Sequence, residues 1–217
     1  GVGPGDEVII PSVTFIASAG SVAMCHARPV FCEVGSDMGI DPDDFERRIT
    51  ERTRAVMPVH LLGGATDMDP IMKIAAKHDI TVIEDCAQSA GARYCGRYVG
   101  SFGHINAFSL QIQKMITAGE GGVVTTNDDG LLDRARRAHD HGLNRWEPGE
   151  PKDAFCSEVH RMNEMTGAFA LAQIRKLGDC VDRMRADNER MRCAITELDG
   201  LEMRSLVDHS GATGQTV

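Results

Sequence analysis

The sequence predicts an α/β domain with a mostly parallel sheet covered by helices, and three observations carry that prediction. Short β-rich runs alternate with helical patterns along most of the chain, as in "DEVIIP", "PVFCEV", "RAVMPVHLLG" and "ITVIEDCAQ". Asp-Pro pairs at Asp41-Pro42 and Asp69-Pro70 give helix-start signals between those runs. The composition is that of a globular protein, with 42% hydrophobic and 25% charged residues in 217. In sheets of this kind ligands gather at the carboxyl ends of the strands, so those ends are where chemistry is sought.

Each element follows from a local signal. "DEVIIP" is a strand closed by Pro11, and "TFIASAGSVAMCHA" has the small and apolar spacing of a helix that Arg28-Pro29 ends. After "PVFCEV", Asp41-Pro42 opens the helix "DDFERRITERT", and Asp69-Pro70 opens "IMKIAAKHD". "ITVIEDCAQ", "INAFSLQ" and "GGVVTTND" are strands, and "GLLDRARRAHDHG" is a helix stopped by Gly142. From Trp146 to Val159 periodicity is lost, and Pro148 and Pro151 mark an excursion loop. One long helical pattern then runs from Met162 to Leu198, with Met165, Phe169, Ala172, Leu177, Val181, Met184, Met191, Ile195 and Leu198 at three- and four-residue steps. Such a stripe is expected to pack in a core or an interface.

The charge balance narrows the function. A formal net charge of −9 with no long basic run argues against a nucleic-acid surface. No apolar run is long enough to cross a bilayer, and no signal-peptide pattern precedes the first strand, so a cytoplasmic location is expected. The seven cysteines are irregularly spaced without a C-x-x-C pair, which predicts buried thiols in a reducing compartment and neither a disulfide framework nor a zinc site. The stretch begins "GVGPGDEVIIP" and ends "DHSGATGQTV" in a polar loop, and it is expected to be part of a longer chain.

Three strand-end groups could carry chemistry. In "VIEDCAQSAG" a β-branched strand delivers Glu84 and Asp85 to its end, with Gln88 three residues beyond; Asp85 either caps the next turn or faces the site and holds a cationic group. Ser109 ends the strand "INAFS", where it is either a strand cap or a ligand-facing hydroxyl. Lys114 stands among Leu110, Ile112, Met115 and Ile116, and is either a snorkelling surface residue or an amine made reactive because burial disfavours its charged form. Lys73, Lys77, Lys152 and Lys176 lie in amphipathic helices or a polar loop, where a solvated role fits. The turn "AGEGG", Ala118 to Gly122, lacks the spacing of a P-loop or a dinucleotide fingerprint and is a hairpin turn that orients Lys114. A strand-end carboxylate, a Schiff-base lysine and a small hydroxyl together are what pyridoxal 5'-phosphate requires.

Five blocks in order, "GPGDEVIIPSVTF", "PVHLLGGATDMDPI", "VIEDCAQSAGA", "FSLQIQKMITAGEGGVVTTND" and "HRMNEMTGAFALAQIRKL", resemble the DegT/DnrJ/EryC1/StrS family of PLP-dependent sugar aminotransferases. The resemblance implies an aspartate-aminotransferase type fold with a sheet of the seven-stranded type. It implies residues 1–160 as an N-terminally incomplete large domain, 161–200 as a linking helix, and 201–217 as the start of a small domain. By the same resemblance Asp85 partners the pyridine nitrogen, Gln88 lies near the ring's phenolic oxygen, Ser109 binds phosphate and Lys114 is the cofactor-bearing, proton-transferring lysine. Phe15 takes the place of the aromatic that stacks on the ring; on its own it would be read as core. His60 is read as a structural histidine.

The implied reaction transfers an amino group from glutamate or glutamine to a keto-sugar, nucleotide-linked in this family's manner, or to a cyclitol ketone, in a homodimer. The alternatives are a dehydratase of the same fold, which in this family carries His at the position of Lys114, and a non-catalytic regulatory homologue. Two departures stand out. The family's phosphate-binding Gly-Thr turn lies upstream of Gly1, and Val159 replaces an Asn that reaches the phosphate across the dimer. The 217-residue stretch alone is therefore expected to bind pyridoxal phosphate weakly or not at all; strong visible absorbance after mixing the purified stretch with the cofactor would refute this.

Overall fold

A computed structural model describes residues 1–143 and 154–215; Pro148, Pro151 and Lys152 lie outside the described residues. Its main sheet has the order β2 (Arg28–Cys32), β1 (Glu7–Pro11), β3 (Thr53–Val56), β4 (Thr81–Asp85), β7 (Ile105–Ser109) and β8 (Gly122–Thr125). The first five strands are parallel and β8 runs antiparallel to β7. The sheet is mostly parallel as expected, with six strands among the described residues against the seven-stranded type.

Strand β1 shows why the sheet sits in the middle. All five of its residues are buried, because both of its faces are covered. Alternation sends Ile9 into a cluster with Phe45 of helix α2 (Pro42–Arg47) and Met68, Ile71 and Ala75 of helix α3 (Met68–Lys77). Val8 and Ile10 point the other way, onto Val22 of helix α1 (Ile16–Met24) and Ala27. Glu7, also buried, is paired at the sheet's lower edge with Arg52 at 2.8 Å and accepts from the Thr50 hydroxyl at 2.6 Å.

Several local readings change. Asp41 caps α2 by accepting from Asp44 N at 2.7 Å, but α3 starts earlier than the Asp69-Pro70 signal placed it. Its N-cap is Asp67, whose carboxylate takes the Tyr94 hydroxyl at 2.6 Å instead of a helix amide. A two-stranded hairpin, β5 (Arg93–Tyr94) with β6 (Arg97–Tyr98), has strands too short to show any period. The helix α4 (Asp129–Ala138) is capped by Asp128, and Gly142 beyond it takes a φ of 75°. The long helical pattern is two helices, α5 (Glu164–Ile174) and α6 (Leu177–Thr196). The break comes where Lys176 N bonds Gln173 O, a three-residue closure that tightens the turn between them. Most of the stripe is exposed: Met165, Phe169, Met191 and Leu198 face outward, while Val181 is buried. The cysteines also differ from expectation, with Cys32 and Cys86 buried but Cys25, Cys95, Cys156 and Cys193 exposed.

Residues 208–215 return to the sheet's upper edge. Arg185 donates to the carbonyls of Ala212 and Gly211, Arg93 N to Gly211 O, and Thr213 N to Gly63 O, leaving Thr213 fully buried. Among the described residues no helix is long and apolar enough to cross a membrane. Phe45 is fully buried beneath α3, so Phe45→Ala is expected to cost about 3 kcal/mol or more. Urea unfolding would show this as a lower midpoint at unchanged slope.

Candidate functional site

The end of β4 separates two acids by the pleat of the strand. Glu84 points to the α3 side with Val82, and Asp85 to the α1 side with Ile83. Glu84 is fully buried. It accepts from His60 Nε2 and from the amides of Gly100, Phe102 and Gly103, at distances between 2.5 and 2.9 Å. His60 Nδ1 in turn accepts from Thr66 N at 3.1 Å, so the proton on this ring lies on Nε2. Burial alone would raise the Glu84 carboxyl; the hydrogen bonds from His60 and the amides outweigh it and hold the group below the usual carboxylate range.

His60, Glu84 and Cys86 bring three ligand-type atoms within 4.8 Å of one another. The ligating lone pairs of the first two are already taken. Burial, reinforced by the charges of Glu84 and Asp85, pushes the Cys86 thiol strongly upward, away from the thiolate a metal needs. This cluster is a structural cage, in keeping with the sequence reading of His60.

Asp85 belongs to the other face. Its backbone is fixed by Asp85 N to Pro58 O and His60 N to Asp85 O. Its Oδ1 accepts from Ala87 N at 3.0 Å and its Oδ2 from the Ser18 hydroxyl at 3.0 Å. Ser18 Oγ lies 2.7 Å from Thr14 Oγ1. Phe15, between these two hydroxyl residues, is the N-cap of α1 and is 64% exposed, not core. Parallel pairing sets Asp85 beside Ala107 of β7, whose face is open to solvent. Ser109 lies on that same face, two residues or roughly 7 Å further along β7.

Lys114 reaches the site on the connection from Leu110 to Gly121, which is a longer excursion than a tight hairpin. The excursion is pinned by Gln111 N to Ser109 Oγ, Gln113 N to Gln111 Oε1, and the Thr117 hydroxyl to Leu110 O. Gly119 and Gly121 take positive φ values of 82° and 148°, which gives the glycines of "AGEGG" the role of returning the chain to β8. Half-buried Lys114 lines a small cavity with Gln88, Ser109, Ile116 and Gln215. Gln88 Oε1 accepts from Leu62 N at 3.1 Å, which leaves its amide N–H groups to donate.

The structure thus brings Gln88, Ser109 and Lys114 together, places Asp85 on the face Ser109 shares, and leaves Phe15 exposed between Thr14 and Ser18, the pair that reaches Asp85. A larger cleft of about 630 Å³ lies along Phe108, Val123, Leu177 and Val181, and meets the site at Ala90, Ser109 and Ile116, which line both. The donor set fits pyridoxal phosphate at the ring end: Asp85 keeps a lone pair on each oxygen, Ser109 keeps its O–H, and Lys114 lines the same cavity as Ser109. Ser18, Thr14 and Gln215 escaped the sequence reading. For the first two a signal exists, hydroxyls four residues apart at a helix start.

The family model described as the DegT/DnrJ/EryC1/StrS aminotransferase family matches residues 1–215, and the chain belongs to that family. It is 44% identical over 198 residues to GDP-perosamine synthase of Caulobacter vibrioides, covering 88% of this chain and 50% of that protein. It is 40% identical over 225 residues to L-glutamine:2-deoxy-scyllo-inosose aminotransferase of Micromonospora echinospora, covering 100% of this chain and 53% of that one. Among solved structures, DesV of S. venezuelae superposes with a TM-score of 0.91 at 34% identity, over 99% of this chain and 57% of that chain. The chain spans about half the length of the relatives it matches.

The Glu84 cage yields a pH prediction. Its folded pKa lies below the usual 4.5, so its contribution is present above that value and lost as pH falls below about 4.5. Glu84→Gln turns an amide N–H₂ toward the Gly100–Gly103 amides and is expected to cost about 3 kcal/mol. Denaturation midpoints measured from pH 6 down to pH 3 should fall more steeply for the wild type than for the variant.

Proposed function

We propose that this chain forms the cofactor-binding part of a pyridoxal-phosphate-dependent aminotransferase. It would aminate a keto-sugar, nucleotide-linked, or a cyclitol ketone, with glutamate or glutamine as amino donor. The observation that carries this reading is Lys114 sharing one cavity with Gln88 and Ser109 at the strand ends where Asp85 is held. The similarity to sugar and cyclitol aminotransferases supplies the substrate class. Bound pyridoxal phosphate supplies an electron sink that makes a proton on the adjacent substrate carbon removable.

The roles follow from each group's chemistry. Asp85, anionic and twice hydrogen-bonded, accepts the ring N–H with a remaining lone pair. Ser109 donates its O–H to the phosphate, and the free Gln88 N–H groups face the ring oxygen. Phe15, exposed beside the Thr14–Ser18 pair, covers one face of the ring. Lys114 Nζ anchors the cofactor and carries the proton to and from the substrate carbon. The site is completed in a cytoplasmic homodimer, which would cover the apolar residues Met165, Phe169 and Ile174 that α5 exposes. In this reading residues 1–160 are the large domain, 161–200 the helical link, and 201–217 lead into a small domain.

In the full-length protein, Lys114→Ala is expected to abolish both amino transfer and the visible absorbance of the lysine-held cofactor. Assays with glutamate and glutamine as donors, alongside a spectrum of each protein with added cofactor, provide the check. Turnover retained in the variant would sink the mechanism.

A further inference from the structure

We infer that Ser18, backed by Thr14, is a positioning residue for Asp85, turning its carboxylate so that a free lone pair meets the ring nitrogen. The inference rests on the pyridoxal phosphate reading of the site and adds two residues to it. The side chain of an aspartate is a broad rotor about its last torsion, so one hydrogen bond leaves its plane loosely set. Here the two oxygens are held from two directions. Ala87 N holds Oδ1 from the turn that follows β4, and Ser18 Oγ holds Oδ2 from α1, each at 3.0 Å. Two donors on separate oxygens fix the plane of the carboxylate.

The direction of the hydroxyl chain can be worked out atom by atom. A carboxylate has no proton to give, so the Ser18 O–H donates to Asp85. Ser18 has then used its only proton, and the 2.7 Å contact with Thr14 Oγ1 has Thr14 as donor. The chain runs Thr14 to Ser18 to Asp85, and each donation polarises the next. Ser18 is 2% exposed, a depth at which an unpaired hydroxyl would be costly. Ser18 stands in the first turn of α1, and its hydroxyl is turned away from the helix to Asp85. Phe15 gives α1 no side-chain cap, so neither hydroxyl is explained by capping. Ser18 N also bonds Phe15 O at 3.0 Å, which ties the backbone of the ring-covering residue to the residue that aims the carboxylate.

The test uses full-length protein loaded with pyridoxal phosphate carrying ¹⁵N in the ring, in wild type, Ser18→Ala, Ser18→Thr and Thr14→Val. In Ser18→Ala the ring nitrogen resonance should move toward its unprotonated position, and kcat should fall about tenfold or more with little change in the donor's KM. Ser18→Thr keeps the hydroxyl and should restore both. Thr14→Val, further from the core, should shift the resonance in the same direction by less, and it decides the matter if Ser18→Ala does not fold by circular dichroism. A ring resonance identical to wild type in the folded variants overturns the positioning role alone. Absence of any Lys114-dependent cofactor signal in wild type overturns the site reading, and this inference with it.

Discussion

The upper end of the sheet depends on one carboxylate that never meets solvent. Glu84 gathers a histidine N–H and three backbone amides, and in doing so fixes the loop Gly100–Gly103, the ring of His60 and the end of β4 at once. His60 passes the constraint on through Thr66 N, and its own amide bonds Asp85 O. A charge buried this deeply is tolerable only because every lone pair is answered. Replacing the cage with a looser one would free the strand end on which Asp85 stands. The acid that does no chemistry sets the address of the acid proposed to do it.

A second layer of support comes from elements remote in sequence. Helix α1 reaches Asp85 through Ser18, the turn after β4 through Ala87, and the Leu110–Gly121 excursion carries Lys114 to the cavity where Gln88 waits. The returning segment adds Gln215 to that cavity and is itself locked by Arg185 and by Thr213. Rigid strand ends thus hold the carboxylate and the hydroxyl, while the lysine rides on a loop.

Much of this was legible in the residues, and the rest was not for physical reasons. Apolar runs alternating with helical patterns foretold the parallel sheet; in "DEVIIP" the unbroken run Val8–Ile10 fits a strand covered on both faces. The resemblance pointed to Asp85, Gln88, Ser109, Lys114 and Phe15; the fold brings Gln88, Ser109 and Lys114 to one small cavity, with Asp85 on the face of the sheet that Ser109 shares and Phe15 exposed beside Thr14 and Ser18. Composition could not say which of Glu84 and Asp85 faces the site, because that depends on the phase of the pleat. Asp67 escaped notice as the start of α3 because its side chain is spent on Tyr94, a contact between residues far apart in the chain. The stripe from Met162 to Leu198 kept its helical period across the break at Lys176, since one tightened turn barely disturbs the spacing. Ser18 hid among the small residues of α1, where a hydroxyl and a methyl look alike to a periodicity argument.

The adjacency of Glu84 and Asp85 on a single strand makes this stretch intolerant of length change. Because neighbouring side chains face opposite sides, deleting one residue from Thr81–Ile83 would rotate both acids by half a turn of the pleat. The shorter acid would then sit in the amide cage, a methylene too far from its donors, and the longer one would intrude on the open face. Sequence drift among descendants of this chain can therefore proceed by exchange of side chains along β4 but hardly by insertion or loss.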